Sequence, residues 1–323
     1  MELQDRVALV TGGGSGIGRA AAQRLAAHGM RVCVVDIDGD AAREVAEPLG
    51  GLALTCDVSD PDQVNVTFDR CATELGGVDV AFLNAGITIA WSGDIGALDL
   101  TDYRRSVGVN LDGVVYGVVA AVRTMRSRPG ADRAILATAS LAGILPWHPD
   151  PVYSLGKHGV VGLMRSVAPN LAAEGIAVHT ICPGITETGV LGDRRPLVER
   201  IGVPVMEPEA IADAVMAAVA APLADTGACW VVQHGKAPTP MRFADVDCPD
   251  ARLNVPVRRW RRQPTMAGML SQPRTVAVGA RTAFSMSTVQ SGQRLRISSS
   301  ATRPSTRASE APRQKWAPRP NDR

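Results

Sequence analysis

A short apolar stretch that runs straight into a cluster of glycines and out into a helix leaves few folds open to a chain. Residues 6–10, Arg-Val-Ala-Leu-Val, read as a strand; Thr11-Gly12-Gly13-Gly14-Ser15-Gly16-Ile17-Gly18 follows; residues 19–28 are alanine-rich and helical. Glycines in such a turn let the backbone approach a pyrophosphate, and the first free N–H groups of the helix point at it. The spacing is Gly-x-x-x-Gly-x-Gly, which departs from the commoner Gly-x-Gly-x-x-Gly pattern. Its place between strand and helix marks Gly12, Ser15, Gly16, Ile17 and Gly18 as candidate diphosphate-binding residues.

The second strand, residues 31–35, ends at Asp36, eighteen residues past Gly18. A carboxylate there can accept both ribose hydroxyls of an adenosine and would repel a 2′-phosphate, so NAD is expected in preference to NADP. The plainer alternative makes Asp36 or Asp38 a cap for the helix near Ala41. Residues 52–55 form a third strand, followed by Cys56-Asp57-Val58, where Asp57 either contacts an adenine edge or finishes the turn. Asp60-Pro61-Asp62-Gln63 has the form of an N-cap, a first-position proline and a capping-box glutamine. Residues 78–83 are strand four and lead to Asn84-Ala85-Gly86. Strands alternating with helices across short links imply a parallel sheet covered on both faces.

Further along, residues 99–126 are mostly helical, and Asn110 interrupts an apolar stretch, where a buried amide must find partners. Residues 134–139 form an apolar strand ending at Ser140, and ligands of open α/β sheets bind at that carboxyl end. The loop at 141–151 carries Pro146, Trp147 and His148; it would overhang the site, with His148 read as a surface residue. Pro151 opens the next helix, which Pro169 should kink or end early. Residues 176–181 are strand six, followed by Pro183-Gly184-Ile185-Thr186-Glu187-Thr188; residues 190–206 have the aperiodic look of a mobile lid; residues 208–220 are helical and 229–233 a last strand.

Tyr153 and Lys157 stand one helical turn apart on one face. A fixed ammonium at roughly 4 Å, in an effective dielectric of about 20, favours a phenolate by on the order of 4 kcal/mol. That would bring a tyrosine pKa of about 10 near 7, where a general base works well. With the Ser140 hydroxyl close by, the chemistry suited to the three groups is proton transfer at an alcohol or ketone.

Charge divides the chain in two. From Cys248 onward fifteen Lys+Arg face three Asp+Glu, so the tail carries +12 and residues 1–247 carry −10. Residues 248–323 are rich in Ser, Pro, Arg and Thr, with few aromatics and no sustained period, so disorder is expected there. Their positive charge could draw nucleic acid or an anionic membrane, but no aromatic platform or known binding module accompanies it, and nucleic acid is not an expected partner. A shifted reading frame at the gene's end is another reading of that composition. Six cysteines, Cys33, Cys56, Cys71, Cys182, Cys229 and Cys248, show no Cys-x-x-Cys; buried reduced thiols are expected, with neither disulfides nor a metal site. No secretory signal is evident and no apolar run reaches bilayer length, so a cytoplasmic protein without a membrane span is expected.

Taken in order, Thr11-Gly12-x-x-x-Gly16-x-Gly18, Asp57, Asn84-Ala85-Gly86, Asn110, Ser140, Tyr153-x-x-x-Lys157 and Pro183-Gly184 resemble the classical short-chain dehydrogenase/reductase family over residues 1–247. The resemblance implies a Rossmann-type doubly wound parallel sheet of about seven strands with helices on both faces, followed by the disordered tail. It implies Tyr153 as acid/base, Ser140 holding the substrate oxygen, Lys157 lowering the Tyr153 pKa and gripping the nicotinamide ribose, and Asn110 supporting a water that leads to Lys157. Cofactor contacts would include Asp36, Asp57, Val58, Asn84, Ala85, Gly86, Pro183 and Gly184, with Thr186 and Thr188 near the carboxamide. A homodimer or homotetramer is implied as well. Ala177-Val178-His179 departs from the Arg-Val-Asn common in relatives, which touches hydrogen bonding at the sheet's end, and Leu83 stands where many have Asn.

The expected function is hydride transfer between NAD(H) and a secondary alcohol or ketone. Leu141, Pro146, Trp147, Val190, Leu191 and Met206 suggest an apolar substrate pocket. The competing classes are a non-catalytic NAD-binding sensor or partner-binding protein, and anionic-surface binding through the tail.

Overall fold

The computed structural model describes residues 2–243 apart from 90–92, 129–131, 193–194, 201 and 242. The basic segment from 248 onward lies outside the described residues. Among the described residues eight strands and eight α-helices follow in order: β1 (Val7–Thr11), α1 (Gly16–Ala27), β2 (Arg31–Asp36), α2 (Gly39–Ala46), β3 (Leu52–Thr55), α3 (Pro61–Leu75), β4 (Val80–Leu83), α4 (Leu100–Val107), α5 (Gly113–Arg126), β5 (Arg133–Thr138), α6 (Pro151–Ala172), β6 (Ile176–Pro183), α7 (Arg195–Arg200), α8 (Pro208–Ala220), β7 (Cys229–Val232) and β8 (Thr239–Met241).

One sheet has the order β3-β2-β1-β4-β5-β6-β7-β8 and is parallel through β7. The order reverses between β1 and β4, which opens a crevice at their carboxyl ends. Central strands are mostly apolar, and β1, β4, β5 and β6 are buried at every position, because helices cover both faces. On one face Leu9, Leu83, Ile135 and Val178 meet Val118 of α5 and Met164 of α6. On the other, Val10, Phe82, Leu136 and Ile181 meet Leu25 of α1 and Val215 of α8.

The eighth strand is one more than the sequence pattern supplied. Thr239-Pro240-Met241 pairs antiparallel with β7 at the sheet's edge, the place where a proline lacking an N–H is tolerated. Pro169 neither ends nor truncates α6, which continues to Ala172. The stretch at 190–206 is not shapeless: it contains α7, Thr186 bridges to Met206, and Glu187 N–H donates to the Met206 carbonyl at 2.8 Å. Residues 100–126 form a helical run interrupted by a π-turn at Gly108–Asp112. By length and composition that run would span a bilayer, yet half of it is buried, and α5 packs on α3, β4 and β5 as a core helix.

Helix starts follow from capping chemistry. Asp38, not Asp36, caps α2 by accepting from Asp40 and Ala41 N–H. Asp60 caps α3, with Pro61 at its first position. Gln63 donates to Asp60 Oδ2 and accepts from Asp57 N–H at 3.0 Å, so it locks the β3–α3 turn in place of completing a capping box. Five cysteines, Cys33, Cys56, Cys71, Cys182 and Cys229, are buried free thiols. Donating a hydrogen bond to Cys229, together with burial, pushes the Cys182 thiol well above its ordinary range, and contact with Cys71 does the same for Cys33.

Candidate active site

The glycine turn is built by close approach. Gly12 has φ +61°, and a Cβ there would stand 2.8 Å from Ala85 Cα; Gly16 has φ +46°, and its Cβ would meet Thr188 Cγ2 at 2.9 Å. Both positions need glycine for conformation as well as space. Ser15 occupies the N-cap position of α1 with no capping bond from its exposed side chain, so its hydroxyl does not take up the helix's leading N–H groups. At the end of β2, Asp36 Oδ2 accepts from Gly14 N–H at 2.9 Å and Oδ1 from Asp38 N–H at 3.1 Å. Donors at a helix N-terminus beside a carboxylate one strand over suit a dinucleotide, its diphosphate on the turn and a ribose at Asp36.

Asn84 stitches that turn to the rest of the sheet. Its Nδ2 donates to the carbonyls of Thr11 (3.2 Å) and Gly12 (3.3 Å), and its Oδ1 accepts from Thr138 Oγ1 at 2.9 Å. Thr11 Oγ1 in turn accepts from the N–H groups of Asn84 (2.9 Å) and Ala85 (3.2 Å). The Asn84 side chain thereby fixes β1, β4 and β5 to one another where the strand order reverses. Asp57, left open between an adenine contact and a turn, folds its own turn: Oδ1 accepts from Ser59 N–H (2.9 Å) and Oγ (2.7 Å). Val58 is buried against Gly113 of α5.

Across the crevice, Lys157 is 2% exposed and donates to the Thr138 carbonyl at 2.8 Å. Burial pulls its ammonium down to about 8, so it keeps most of its charge at neutral pH. Cys182 nearby gives it no counter-charge there, because that thiol is held neutral. Its Nζ lies 5.5 Å from the centre of the Tyr153 ring. That is cation–π range, with the backbone carbonyl of Thr138 holding the amine. Tyr153 sits in the first turn of α6, whose N-cap Asp150 is fully buried and accepts from Tyr153 N–H at 2.8 Å.

Ser140 follows β5 and begins a tight turn at Leu141–Gly143, its Oγ accepting from Ala142 N–H at 3.1 Å and donating to the Pro183 carbonyl at 3.5 Å. Ser154 Oγ donates to the Ala142 carbonyl at 2.7 Å, clamping that turn onto α6, so Ser140, Tyr153 and Lys157 share the sheet's carboxyl end. A Cβ on Gly86 would come within 3.1 Å of Asn110 Oδ1 and 3.5 Å of Lys157 Nζ, which places both beside Gly86. Asn110, fully buried in the π-turn, brackets Ile87: Oδ1 accepts from its N–H and Nδ2 donates to its carbonyl, each at 2.9 Å. Its amide thus positions the loop after β4.

Thr186 is buried, its Oγ1 donating to the Gly184 carbonyl at 3.2 Å, and Thr188 lies over Gly16. Among the expected pocket residues, Leu141 and Met206 converge on Gly184, with Leu141 Cδ1 and Met206 Cε at 3.6 and 3.4 Å from a Cβ built there. Met206 is also part of the core, Leu191 is buried, and the Val190 carbonyl accepts from Thr88 Oγ1 at 3.4 Å. Pro146 is exposed and Trp147 half-buried on the Ser140 loop. The sequence reading passed over Thr138, Asp150 and Ser154. Asp150-Pro151 repeats the Asp-Pro start recognised at Asp60-Pro61, so one of the three had a signal. His179 does not sit at the sheet's end. It is fully buried within β6, edge-on to Trp230 at 6.1 Å.

The family model for short chain dehydrogenase matches residues 6–197. The chain belongs to the short-chain dehydrogenase family. Among curated members, zerumbone synthase of Zingiber zerumbet is 35% identical over 57% of this chain and 69% of its own length. The mitochondrial borneol dehydrogenase of Lavandula x intermedia is 35% identical over 59% and 73%. The 15-hydroxyprostaglandin dehydrogenase [NAD(+)] of Homo sapiens is 33% identical over 59% and 72%. The crystal structure of a 3-ketoacyl-(acyl-carrier-protein) reductase from Brucella melitensis complexed with NADH superposes with a TM-score of 0.66 at 28% identity, covering 72% of this short-chain dehydrogenase and 98% of that chain.

Proposed function

We propose that this protein interconverts a secondary alcohol and its ketone with NAD(H), Tyr153 serving as the acid/base. The observation that carries the reading is the buried ammonium of Lys157, fixed by the Thr138 carbonyl beside the Tyr153 ring, at the same strand end as Ser140. A nicotinamide dinucleotide on the glycine turn would supply or accept the hydride. Ser140 Oγ holds the substrate oxygen and Tyr153 gives or takes its proton. The Lys157 ammonium, a fixed positive charge beside the ring, favours the phenolate. Leu141, Leu191 and Met206 give the substrate side an apolar lining. The names of the borneol and 15-hydroxyprostaglandin dehydrogenases support an alcohol as the reacting group, and the latter supports NAD.

Tyr153→Phe should lower kcat about a thousandfold while leaving NADH affinity within a factor of about three. A variant that turns over at the parent rate on a panel of cyclic and medium-chain alcohols would end this reading. Asp36 underlies the preference for NAD over NADP. Asp36→Arg should invert the ratio of kcat/KM for the two cofactors, and an unchanged ratio would take Asp36 out of the ribose site.

A further inference from the structure

The Leu141–Gly143 turn that follows Ser140 is fixed to α6 at two points. Ser154, 8% exposed, donates from Oγ to the Ala142 carbonyl at 2.7 Å, a good length for a hydroxyl donor. Three residues further along α6, Gly143 lies so close to the Lys157 carbonyl that a Cβ on it would stand 2.6 Å from that oxygen. The turn's own backbone bonds run from Gly143 N–H to the Ser140 carbonyl at 2.9 Å and from Ile144 N–H to the Leu141 carbonyl at 3.0 Å. Neither uses the Ala142 carbonyl, whose pairing falls to Ser154.

Ala142 meets Ser140 with its other backbone group. Its N–H donates to Ser140 Oγ at 3.1 Å and takes one of the two lone pairs of that hydroxyl. The hydroxyl hydrogen has the Pro183 carbonyl as its acceptor, 3.5 Å away. A hydroxyl bond is best at about 2.7–2.8 Å, so this hydrogen is weakly held and open to a nearer oxygen. Tyr153 and Ser154 are consecutive, so the residue beside the phenol is the one that orients the turn carrying Ser140. Resting on the reading of Ser140 as the group that holds the substrate oxygen, we propose that Ser154 is its positioning residue. The Ser154 hydroxyl fixes the Ala142 peptide, the Ala142 N–H occupies Ser140 Oγ, and the Ser140 hydrogen is left for the substrate. Ser154 touches neither substrate nor cofactor, and its effect on turnover passes through Ser140.

The test is a double-mutant cycle on the full chain, with NAD and the fastest alcohol of the cyclic and medium-chain panel. Ser154→Ala should lower kcat on the order of tenfold by misplacing a reacting group, with the alcohol KM and NADH affinity within a factor of about three. Ser140→Ala should lower kcat about a hundredfold. The double variant should turn over as fast as Ser140→Ala alone, because Ser154 has no second route to the chemistry. A further loss on the order of tenfold in the double variant, or NADH affinity falling in step with kcat in Ser154→Ala, overturns the proposal. Parent kcat in Ser154→Ala overturns it and leaves the reading of the site intact. Parent kcat in Ser140→Ala, or a parent enzyme inert on the whole panel, ends that reading and this inference with it.

Discussion

Two polar side chains on the same sheet have opposite fates. Asn84 stands at the end of β4 with its amide oxygen and nitrogen both bonded, to Thr138, Thr11 and Gly12. His179 stands inside β6, fully buried, with both ring nitrogens and the Trp230 Nε1 beside it lacking a hydrogen-bond partner. Position explains the difference. At a strand's carboxyl end the ladder stops, so backbone carbonyls such as those of Thr11 and Gly12 are open to a side chain. In mid-strand the ladder uses every backbone group, and the neighbours on that face, Leu136, Ile181 and Trp230, are apolar. Polar residues can therefore organise the crevice, whereas one in the strand body only costs stability.

The largest effect should come from Asn84→Ala, which strips three hydrogen bonds and leaves the Thr138 hydroxyl and two carbonyls unpaired. A loss of about 3 kcal/mol in urea unfolding, with NADH affinity down on the order of tenfold, is expected. A loss below about 1 kcal/mol would reduce Asn84 to an ordinary polar residue and erase the contrast. His179 provides the opposite case. Burial holds its pKa at about 4 against an ordinary 6.5, with Asp225 opposing weakly. Because the folded-state pKa is depressed, the unfolded chain binds the extra proton first. The stability is fully present above pH 6.5 and is lost as pH falls toward 4, on the order of 3 kcal/mol across that window. The smallest effect sharpens this: His179→Leu should remove that acid component and gain about 1 kcal/mol at pH 7. An unchanged stability profile from pH 7 to 4.5 in the variant would show that His179 is satisfied in solution.

The same contrast separates what a linear reading reaches from what it misses. Tyr153 and Lys157 share a helix, so their proximity follows from spacing alone, and Asp60 announces α3 because a cap acts on neighbours in sequence. Asn84 and Thr138 lie fifty-four residues apart and meet only because β4 and β5 are adjacent. Asn110 reads as a polar intruder in a helix, and its purpose requires Ile87, twenty-three residues away, to be folded against it. His179 is visible in the sequence as a departure from the family's usual residue. Its lack of partners depends on which face of β6 it takes and on Trp230 from β7.

Local chemistry written into the chain was enough to set the glycine turn, the alternation of strands and helices, the Tyr153–Lys157 pair and the family, because each depends on residues within a few positions of one another. Only the assembled sheet decided that Lys157 would be held by the Thr138 carbonyl and that Asn84 would bind the crevice together. Those outcomes turn on strand order and register, which bring distant backbone groups and charges within reach or keep them apart.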